Sequence, residues 1–469
     1  MKRAGVSTTV QIVSVIVAFL IGLGIMYAAA PSFVGTKTST TTVTTTSVST
    51  ATVTGGGSTT TTSSSPTSTS TSTSQTSSGT ATGQPINVGI IAELTGSFGP
   101  LGSESAAAAK EAVTQINNNG GVDGRPINLI VLDDQTNPTQ GVTDATQLAT
   151  QNNVIAITGT TSSAVALAVR GYTEQNGIPY IVPIAQDPQL TAPNSSWTIR
   201  VTPDSVTAGV ALAQYALQRY PNARVAIAET QIVYFQQIAK GFMWYMQNHS
   251  LGTVVYDQTF PASQSDFSTA VASIKAANPT VIFNDLVVPG TFFTELLQAG
   301  FNSSQIFAVT DEASNILPLG SQGAGVYTGS MYNIALGNST NGVAAFNSLM
   351  TPVIAACSGC GKTVTEDSYF SYITMYMIRD ALQNALSTGS LTRASFMAAM
   401  KNLTYQDNIM QIGYQFNQSG AAGTENYWIV QVTNVNTTAG TYTEKVVAHY
   451  SYPPGTVPAY QIATGSISV

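Results

Sequence analysis

Short apolar runs alternate with longer amphipathic segments from residue 84 onward, and this alternation limits the fold more than any other feature of the chain. The runs have the length of buried strands and the segments the length of helices, so the strands should form parallel sheets covered by helices. The alternation is interrupted near residues 200–205, which predicts two α/β lobes of similar size. The predicted strands are residues 86–91, 127–133, 154–159, 179–183, 224–229, 253–257, 280–285 and 306–311.

A third region runs from about residue 326 to the carboxyl end. Its hydrophobic periodicity predicts long helices over residues 366–387 and 392–402, followed by further strands. In doubly wound sheets, ligands bind beyond the carboxyl ends of the strands. We therefore expect a ligand site in a cleft between the two lobes.

The first residues have the pattern of a membrane-targeting segment. Two basic residues precede an uncharged apolar stretch, residues 10–30, which as a helix would span roughly 30 Å, the thickness of a bilayer core. Basic residues favour the cytoplasmic side, so we expect residues 1–36 to be a retained transmembrane anchor, with the rest of the chain outside the cell. A cleaved signal peptide ending at Ala30 is the alternative. The start of the chain also resembles archaeal pilin-type signals, whose apolar helix stays attached after cleavage.

Residues 38–83 carry no charge and consist largely of Ser and Thr. Such a tract has too few large apolar side chains to offset the entropy of ordering, so we predict a disordered stalk over residues 37–83, suited to O-glycosylation. N-glycosylation sequons further along agree with an extracellular surface. They lie at Asn194, Asn248, Asn302, Asn338, Asn402, Asn417 and Asn436.

Charge and the rarer residues exclude several classes of function. After residue 84 the chain has 13 basic and 23 acidic residues and no basic block, so it lacks the clustered Lys and Arg that nucleic acid requires. Two histidines and two cysteines leave little for imidazole catalysis or a metal cluster. We therefore predict no enzymatic activity, no cofactor and no nucleic-acid partner. Charged residues make up 8% of the chain, against about 25% in an average soluble domain, and adaptation to an acidic habitat is one hypothesis for this.

Cys357 and Cys360 are separated by two residues, a spacing found in redox and zinc sites. Outside the cell, a disulfide that closes this loop is the expected state. A zinc site would need two further ligands, and no other Cys or His lies nearby in the sequence.

Several blocks of the folded part carry a family resemblance. Residues 88–102 read VGIIAELTGSFGPLG, and residues 106–138 combine an alanine-rich helix, an IN-x-x-GG turn and a DD…NP segment. Residues 158–188, 266–283 and 371–382 continue the match. In these blocks the chain resembles the extracytoplasmic solute-binding proteins of ABC importers, specifically the leucine/isoleucine/valine-binding type.

The resemblance implies the type I periplasmic-binding fold, an α/β fold in which two Rossmann-like lobes are joined by three crossover strands. The solute-binding domain is then residues 84–469. Lobe 1 is expected to comprise about residues 84–202 and 333–407, and lobe 2 about residues 203–330 and 408–455.

In lobe 1, the expected site precedes the helix predicted over residues 163–176. An amino-acid carboxylate needs hydrogen-bond donors, which helix N-termini and hydroxyl groups supply. Thr161 offers both, and Ser163 matches the family serine that contacts the ligand carboxylate, although helix capping is the alternative role of both residues. Ala185 matches a residue whose backbone faces the ligand. Gln186 stands where the family usually has Ser or Thr, so we expect it to approach the ligand side chain instead.

In lobe 2, the resemblance implies an acidic partner for the ligand ammonium. Asp311 stands at the position of the family acid, with Glu312 as the second choice and helix capping as the alternative role of both. Tyr234 matches an aromatic residue that closes over the ligand. Val287 stands where family members often carry aromatic or polar groups.

Together these features predict a membrane-anchored extracellular subunit that captures a small solute by lobe closure and delivers it to an ABC permease. An α-amino acid is the expected solute, with leucine, isoleucine and valine first, and Phe98 and Leu101 in the first loop are expected to line its cleft. Two alternatives stay open. The same fold would also suit an amide, urea or an aromatic acid, and the chain would also suit a surface or adhesion protein that has lost ligand binding.

Overall fold

The computed structural model describes residues 80–191, 195–286, 289–309, 313–332, 341–361, 363–416, 420, 425–453 and 455–467. The predicted membrane anchor, and the predicted stalk apart from residues 80–83, lie outside this part of the chain. Within it, no helix is both long and apolar enough to cross a membrane.

A five-stranded parallel sheet forms the first lobe. Its strands are β1 (Ile86–Ala92), β2 (Ile127–Asp133), β3 (Ala156–Gly159), β4 (Tyr180–Val182) and β5 (Thr198–Arg200). They lie in the order β2-β1-β3-β4-β5. The central strands β3 and β4 are buried along their whole length, as expected for parallel strands that helices cover on both faces.

A seven-stranded mixed sheet forms the second lobe. The remaining strands of the described residues are β6 (Arg224–Thr230), β7 (Thr253–Phe260), β8 (Val281–Asp285), β9 (Ile306–Ala308), β10 (Tyr327–Ser330), β11 (Thr404–Gln406), β12 (Gly413–Gln415), β13 (Glu425–Asn436) and β14 (Thr441–Tyr452). Their order in the sheet is β14-β13-β10-β9-β8-β6-β7, with β13 and β14 antiparallel to their neighbours. Strands β11 and β12 form a separate antiparallel pair.

Helices follow most of the parallel strands. They are α1 (Gly99–Asn118), α2 (Pro138–Thr150), α3 (Ser163–Asn176), α4 (Ser205–Arg219), α5 (Val233–Asn248), α6 (Ser268–Ala277), α7 (Pro289–Gln298), α8 (Ala313–Ile316), α9 (Asn341–Ala356), α10 (Glu366–Ser387), α11 (Arg393–Lys401) and α12 (Ala459–Thr464). Local sequence sets several of their starts. Asn137 caps α2 by accepting the Thr139 N–H at 2.9 Å, directly before a proline that suits the first helical turn.

The last third of the chain contributes to both lobes. Helix α10 packs on α1 of the first lobe, where the Ser105 and Ser371 hydroxyl oxygens lie 2.6 Å apart. Strands β13 and β14 extend the second sheet. The chain therefore passes between the lobes after β5, after β10 and before β13, which is the two-lobed arrangement that the sequence predicts.

A buried ion pair joins the first of these crossings to the last. Arg200 Nη2 lies 2.9 Å from Glu425 Oε1 and 3.4 Å from Asp204 Oδ2. The Arg200 N–H also donates to the Gly420 carbonyl at 2.9 Å. Burial and the Glu425 carboxylate together raise the pKa of Asp204 to about 7, against the lowering effect of Arg200.

Two glycines allow α4 and α5 to pack backbone against backbone. A Cβ added at Gly209 would lie 1.9 Å from the Ile238 carbonyl oxygen, and one added at Gly241 would lie 2.0 Å from the Val206 carbonyl oxygen. Any side chain at either position would therefore force the two helices apart. This close packing holds the middle of α5 against the start of α4, which directly follows the first crossing between the lobes.

The predicted strands and helices are confirmed, with differences at their ends. The strand predicted over residues 154–159 begins at Ala156, because its ladder with β1 starts there, opposite Val88. The strand predicted over residues 306–311 ends at Ala308. The strands expected late in the chain include a hairpin with 12 residues in each strand, β13 and β14.

Cys357 and Cys360 form a disulfide, with their Cα atoms 5.5 Å apart. Cys357 directly follows α9, and its sulfur lies 3.8 Å from the Ser103 carbonyl oxygen of α1. The disulfide therefore closes the turn between α9 and α10 beside the first helix of the domain.

Candidate ligand-binding cleft

The carboxyl ends of the parallel strands in both lobes carry the loops that the sequence analysis singled out. In the first lobe these loops follow β1, β3 and β4, and in the second they follow β6 and β8. Hydrogen bonds join the two sets. Gln237 Nε2 of α5 donates to Asp187 Oδ2 at 3.1 Å, and Ser205 Oγ donates to Gln237 Oε1 at 2.6 Å. The lobes therefore meet at the edge where doubly wound sheets bind ligands.

The amino end of α3 holds a carboxylate that belongs to the protein itself. Glu93, directly after β1, is fully buried. It accepts hydrogen bonds from the backbone N–H groups of Thr161 at 3.0 Å and Ser162 at 2.8 Å. Burial raises the pKa of Glu93, and the two N–H groups oppose that rise. Backbone donors that were expected to bind the ligand carboxylate are thus occupied by Glu93.

The two predicted contacts beside this helix end differ in what they still offer. Thr161 Oγ1 donates to Asp367 Oδ1 at 3.2 Å, so its hydroxyl and its N–H are both engaged within the protein. Ser163 is the first residue of α3 and is partly exposed. Its hydroxyl forms no hydrogen bond with other described residues. Ser163 therefore keeps a donor for a ligand carboxylate, and its contact with ligand stays a prediction.

Buried acids surround this end of the first lobe. Burial raises the pKa values of Glu93, Glu104 and Asp367, and burial together with the Glu93 carboxylate raises the pKa of Asp134 to about 7. The ion pairs found in the described part of the chain involve Arg200 and Arg379 rather than these acids. Among the residues that the structure describes, no group of three or more His, Cys, Asp or Glu side chains could hold a metal ion.

The loop after β4 presents Ala185 and Gln186, which are both buried. The Gln186 carbonyl accepts the Ser205 N–H at 3.0 Å, which fixes the loop against the start of α4. Gln186 Oε1 is buried without a hydrogen-bond partner among the described residues. Gln186 therefore lies at the junction of the lobes with an acceptor available, and its predicted contact with the ligand side chain remains a prediction.

Tyr234, in the first turn of α5, lies among polar groups of both lobes. Burial raises the pKa of its hydroxyl well above the usual range, and the carboxylates of Glu366 and Asp285 add to the rise. A hydrogen bond with the Gln186 side chain opposes it. Tyr234 is thus between a first-lobe glutamine and a second-lobe aspartate, which suits the predicted role of an aromatic residue that closes over a ligand.

Asp285, the last residue of β8, is a candidate that the sequence analysis missed. Its side chain is 0% exposed, and neither carboxylate oxygen has a hydrogen-bond partner among the described residues. Burial raises its pKa well above the usual range, and the nearby Glu229 carboxylate adds to this. The sequence did contain one indication of this role, because Asp285 is an acid at the carboxyl end of a predicted parallel strand, where ligands bind.

Exposed apolar side chains lie in the first loop of each lobe. Phe98, which precedes α1, is 37% exposed, while Ile232 and Val233 before Tyr234 are 39% and 58% exposed. Leu101 is partly buried in the first turn of α1. Solvent-exposed apolar groups close to buried polar acceptors suit a ligand with an apolar body and a polar end.

Three further predicted site residues cannot be assigned a position. Asp311, Glu312 and Val287 lie outside the described residues. Their roles stay as the sequence analysis states them.

Comparisons with known proteins agree with this architecture. A family model described as "periplasmic binding protein" matches residues 85–440. Among curated proteins, the chain is 29% identical over 198 residues to "Leu/Ile/Val-binding protein homolog 3" of Brucella melitensis, which covers 42% of this chain and 53% of that protein. The chain thus spans about half the length of the curated relatives that it matches.

Solved structures match over more of the chain. A solute-binding protein of an ABC transporter from Rhodopseudomonas palustris, in complex with 3,4-dihydroxybenzoic acid, has a TM-score of 0.66 at 19% identity, over 80% of this chain and 99% of that one. A branched-chain amino acid transporter substrate-binding protein from Streptococcus pneumoniae, in complex with isoleucine, has a TM-score of 0.62 at 19% identity, over 78% and 99%. At such identities these likenesses show the fold. With the family model matching most of the chain, the protein belongs to the periplasmic binding protein family, with its α/β fold of two lobes.

Proposed function

We propose that this protein is the extracytoplasmic substrate-binding subunit of an ABC importer and that it binds without catalysis. The observation that carries the proposal is the junction of the lobes, where Gln186 Oε1 and the carboxylate of Asp285 are buried without partners while Phe98 and Val233 are exposed. A solute that fits between the lobes would contact both the buried polar acceptors and the exposed apolar side chains. Lobe closure around it would give the permease a signal that the subunit is loaded.

The proposed solute is an α-amino acid, with leucine, isoleucine and valine first. The names of the curated relatives support this class, and the apolar side chains at the loop after β1 suit an aliphatic body. In this proposal Ser163 meets the ligand carboxylate, Asp311 meets the ammonium, and Tyr234 closes over the ligand. Ala185, Leu101 and Val287 complete the wall of the site.

An aromatic acid is the second candidate solute, because the structural neighbour from Rhodopseudomonas palustris holds 3,4-dihydroxybenzoic acid. The occupation of the Thr161 and Ser162 N–H groups by Glu93 speaks against it, since an aromatic acid has no ammonium group and depends more on donors to its carboxylate. An amide or urea would not need them. A surface or adhesion protein without a ligand is the remaining alternative.

We also propose that residues 1–36 anchor the subunit in the cell membrane and that residues 37–83 form a stalk carrying the binding domain outside the cell. The four sequons within the described residues, Asn248, Asn302, Asn402 and Asn436, are all exposed, which supports a glycosylated extracellular surface. Alkaline extraction of membranes tests the anchor. A retained anchor keeps the protein in the pellet, and release into the supernatant contradicts it.

Calorimetric titration tests the function. The full-length protein, purified in detergent and unfolded and refolded to remove carried-over ligand, is titrated with leucine, isoleucine, valine, leucinamide, urea and 4-hydroxybenzoate. The proposal predicts a Kd near 1 μM for an aliphatic amino acid, about −8 kcal/mol. Binding of 4-hydroxybenzoate alone would favour the second candidate. A folded protein that binds no member of the panel would contradict the proposed function.

A further inference from the structure

Asp285 is placed beside the start of α5 by the geometry of β8. Phe283, two residues earlier on the same face of the strand, packs against Phe242 of α5 with ring centroids 4.4 Å apart. Two strand residues advance about 6.6 Å, and four helix residues about 6 Å in the opposite direction. Asp285 therefore lies level with the turns of α5 between Ile238 and Tyr234. Its neighbour in the sheet register is Glu229, at the end of β6.

Gln186 reaches the same turns of α5 from the other lobe. The residue after it, Asp187, accepts a hydrogen bond from Gln237 of α5 at 3.1 Å. Ser205 binds the Gln186 carbonyl through its N–H at 3.0 Å and binds Gln237 through its hydroxyl at 2.6 Å. Tyr234 precedes Gln237 by about one helical turn, and its hydroxyl lies close enough to the Gln186 side chain for that side chain to lower its pKa. Asp285 and Gln186 thus approach one another across the start of α5.

The unsatisfied atoms of Asp285 and Gln186 are hydrogen-bond acceptors, namely both carboxylate oxygens of Asp285 and Oε1 of Gln186, whose residues are 0% and 6% exposed. The side-chain oxygen and nitrogen of the adjacent Asn284 are also buried without partners among the described residues, but they lie on the opposite face of β8. A buried polar group without a partner is costly, and native proteins rarely keep one without a reason. In the described part of the chain, Asp285 is the only acid with both oxygens buried and unpartnered. Its neighbour in the sheet, Glu229, is another carboxylate, and it adds to the rise in the pKa of Asp285.

Acceptors without donors select a ligand atom that carries hydrogens, and the Glu229 carboxylate beside Asp285 favours a cationic nitrogen over a neutral hydroxyl. An ammonium would neutralise Asp285 and hydrogen-bond with both lobes, and a ligand amide would donate to the same oxygens. A carboxylate or a phenolate would instead add a further negative group beside Asp285 and Glu229. Of the donors at the start of α3 that would attract such an anion, Glu93 takes the Thr161 and Ser162 N–H groups and leaves the Ser163 hydroxyl.

We infer that Asp285 and Gln186 form a subsite that accepts hydrogen bonds from the nitrogen of the solute, with Asp285 contributing from the second lobe and Gln186 from the first. This inference rests on the proposed function and narrows it, because it restricts the solute to ammonium- or amide-bearing molecules. It adds Asp285 to the acids that determine specificity, beside the predicted Asp311. Closure of the lobes on the solute brings both halves of the subsite onto one nitrogen.

Calorimetric titration of the full-length protein with three probes measures how much the nitrogen and the carboxylate of leucine each contribute to binding. The probes are leucine itself, 3-methylbutan-1-amine, which lacks the carboxylate, and 4-methylpentanoate, which lacks the nitrogen. The wild-type protein should bind leucine and the amine and should not bind the acid. This comparison needs no variant, so it holds even if a substitution at Asp285 prevents folding.

The variants Asp285→Asn and Gln186→Met then test the two halves. Asp285→Asn should weaken leucine binding by about 30-fold or more, and Gln186→Met by about 3- to 10-fold. The matched control is Asp144→Asn, because Asp144 is also buried with an unpartnered oxygen but lies on α2; leucine affinity should not change. Without ligand, Asp285→Asn should melt no lower than wild type, since burial already favours the neutral form of Asp285 and asparagine is neutral and of similar size.

The outcomes separate this inference from the proposed function. Leucine binding that is unchanged by Asp285→Asn overturns the subsite and leaves the function intact. Equal binding of 4-methylpentanoate and leucine also overturns it, because the nitrogen would then contribute nothing. A wild-type protein that binds none of the three probes, nor the rest of the solute panel, overturns the proposed function and the subsite with it.

Discussion

Glu93 Oε1 accepts the Ser162 N–H at 2.8 Å, although the two residues are 69 positions apart in the sequence. The Thr161 N–H donates to the same carboxylate at 3.0 Å. A helix N-terminus attracts anions through its free N–H groups and its dipole. Here the first lobe supplies that anion itself. The structure thereby removes part of the carboxylate-binding surface that the family resemblance implies and leaves Ser163 as its available hydroxyl.

Substitution of Glu93 by alanine should expose this anion site. The change leaves the Thr161 and Ser162 N–H groups without their acceptor and should lower the free energy of unfolding by about 1–3 kcal/mol. Formate should recover part of the loss by binding at the vacated helix end, which thermal unfolding with and without the anion would show. The control is Glu111→Ala, whose carboxylate accepts a hydrogen bond from Gln115 on the surface of α1. A formate effect of equal size in both variants would contradict the prediction.

Removal of the charge on Arg200 should be strongly destabilising. Arg200→Met leaves Glu425 and Asp204 buried without their cation, and breaking a buried pair in this way costs about 3–5 kcal/mol. Denaturant unfolding measures the loss. The partly exposed pair of Arg379 and Asp380 is the control, since Arg379→Met should cost less than about 1 kcal/mol. Equal losses in the free energy of unfolding for the two variants would contradict the prediction that the buried ion pair of Arg200 stabilises the fold more than a surface pair does.

Alanine at Gly209 should disrupt the packing of α4 on α5. The added Cβ would lie 1.9 Å from the Ile238 carbonyl oxygen, and a backbone group cannot move aside as a side chain does. We expect a loss of about 3 kcal/mol or more in the free energy of unfolding. The control is Gly171→Ala in α3, where a Cβ would meet nothing within 4 Å and alanine should stabilise by up to about 1 kcal/mol. A neutral Gly209→Ala variant would refute the close packing.

The folded domain should be more stable in mild acid than at neutral pH. The pKa of Asp134 rises from 3.8 to about 7 on folding, so the folded state holds a proton that the unfolded state releases. The contribution of Asp134 to the free energy of unfolding is fully present below pH 3.8 and is lost as the pH rises to about 7. Raised pKa values at Glu93, Glu104, Asp285 and Asp367 act in the same direction, against lowered values at Asp133 and Glu174.

Thermal unfolding between pH 4 and pH 8 checks this expectation. The melting temperature should fall as the pH rises. For the Asp134→Asn variant it should fall less steeply than for wild type, because the substitution removes one of the titrating groups. Asp266→Asn is the control, since Asp266 is exposed and its pKa is lowered rather than raised. A melting temperature that rises steadily across this interval would contradict the prediction, and with it the hypothesis that the low charge reflects an acidic habitat.

The sequence alone determined the elements and the fold. The apolar run at residues 127–133 became β2 with the same bounds, and the helix predicted over residues 163–176 became α3. Such elements follow from local periodicity, because the faces that they bury are set by residues close together in the chain. The family motifs between residues 88 and 188 then identified the two-lobed arrangement, and the match to residues 85–440 confirms the family.

The tertiary structure alone decided the chemistry of the cleft. Glu93 reads in the sequence as one acid in a loop, and only the pairing of β1 with β3 brings it to the amino end of α3. Asp285 reads as the polar end of a strand, and only the packing of α5 over β8 buries it without a partner. Electrostatic effects depend on distance and burial. Both are properties of residues far apart in the chain, so the sequence could name the donors and acceptors but not decide which remain free.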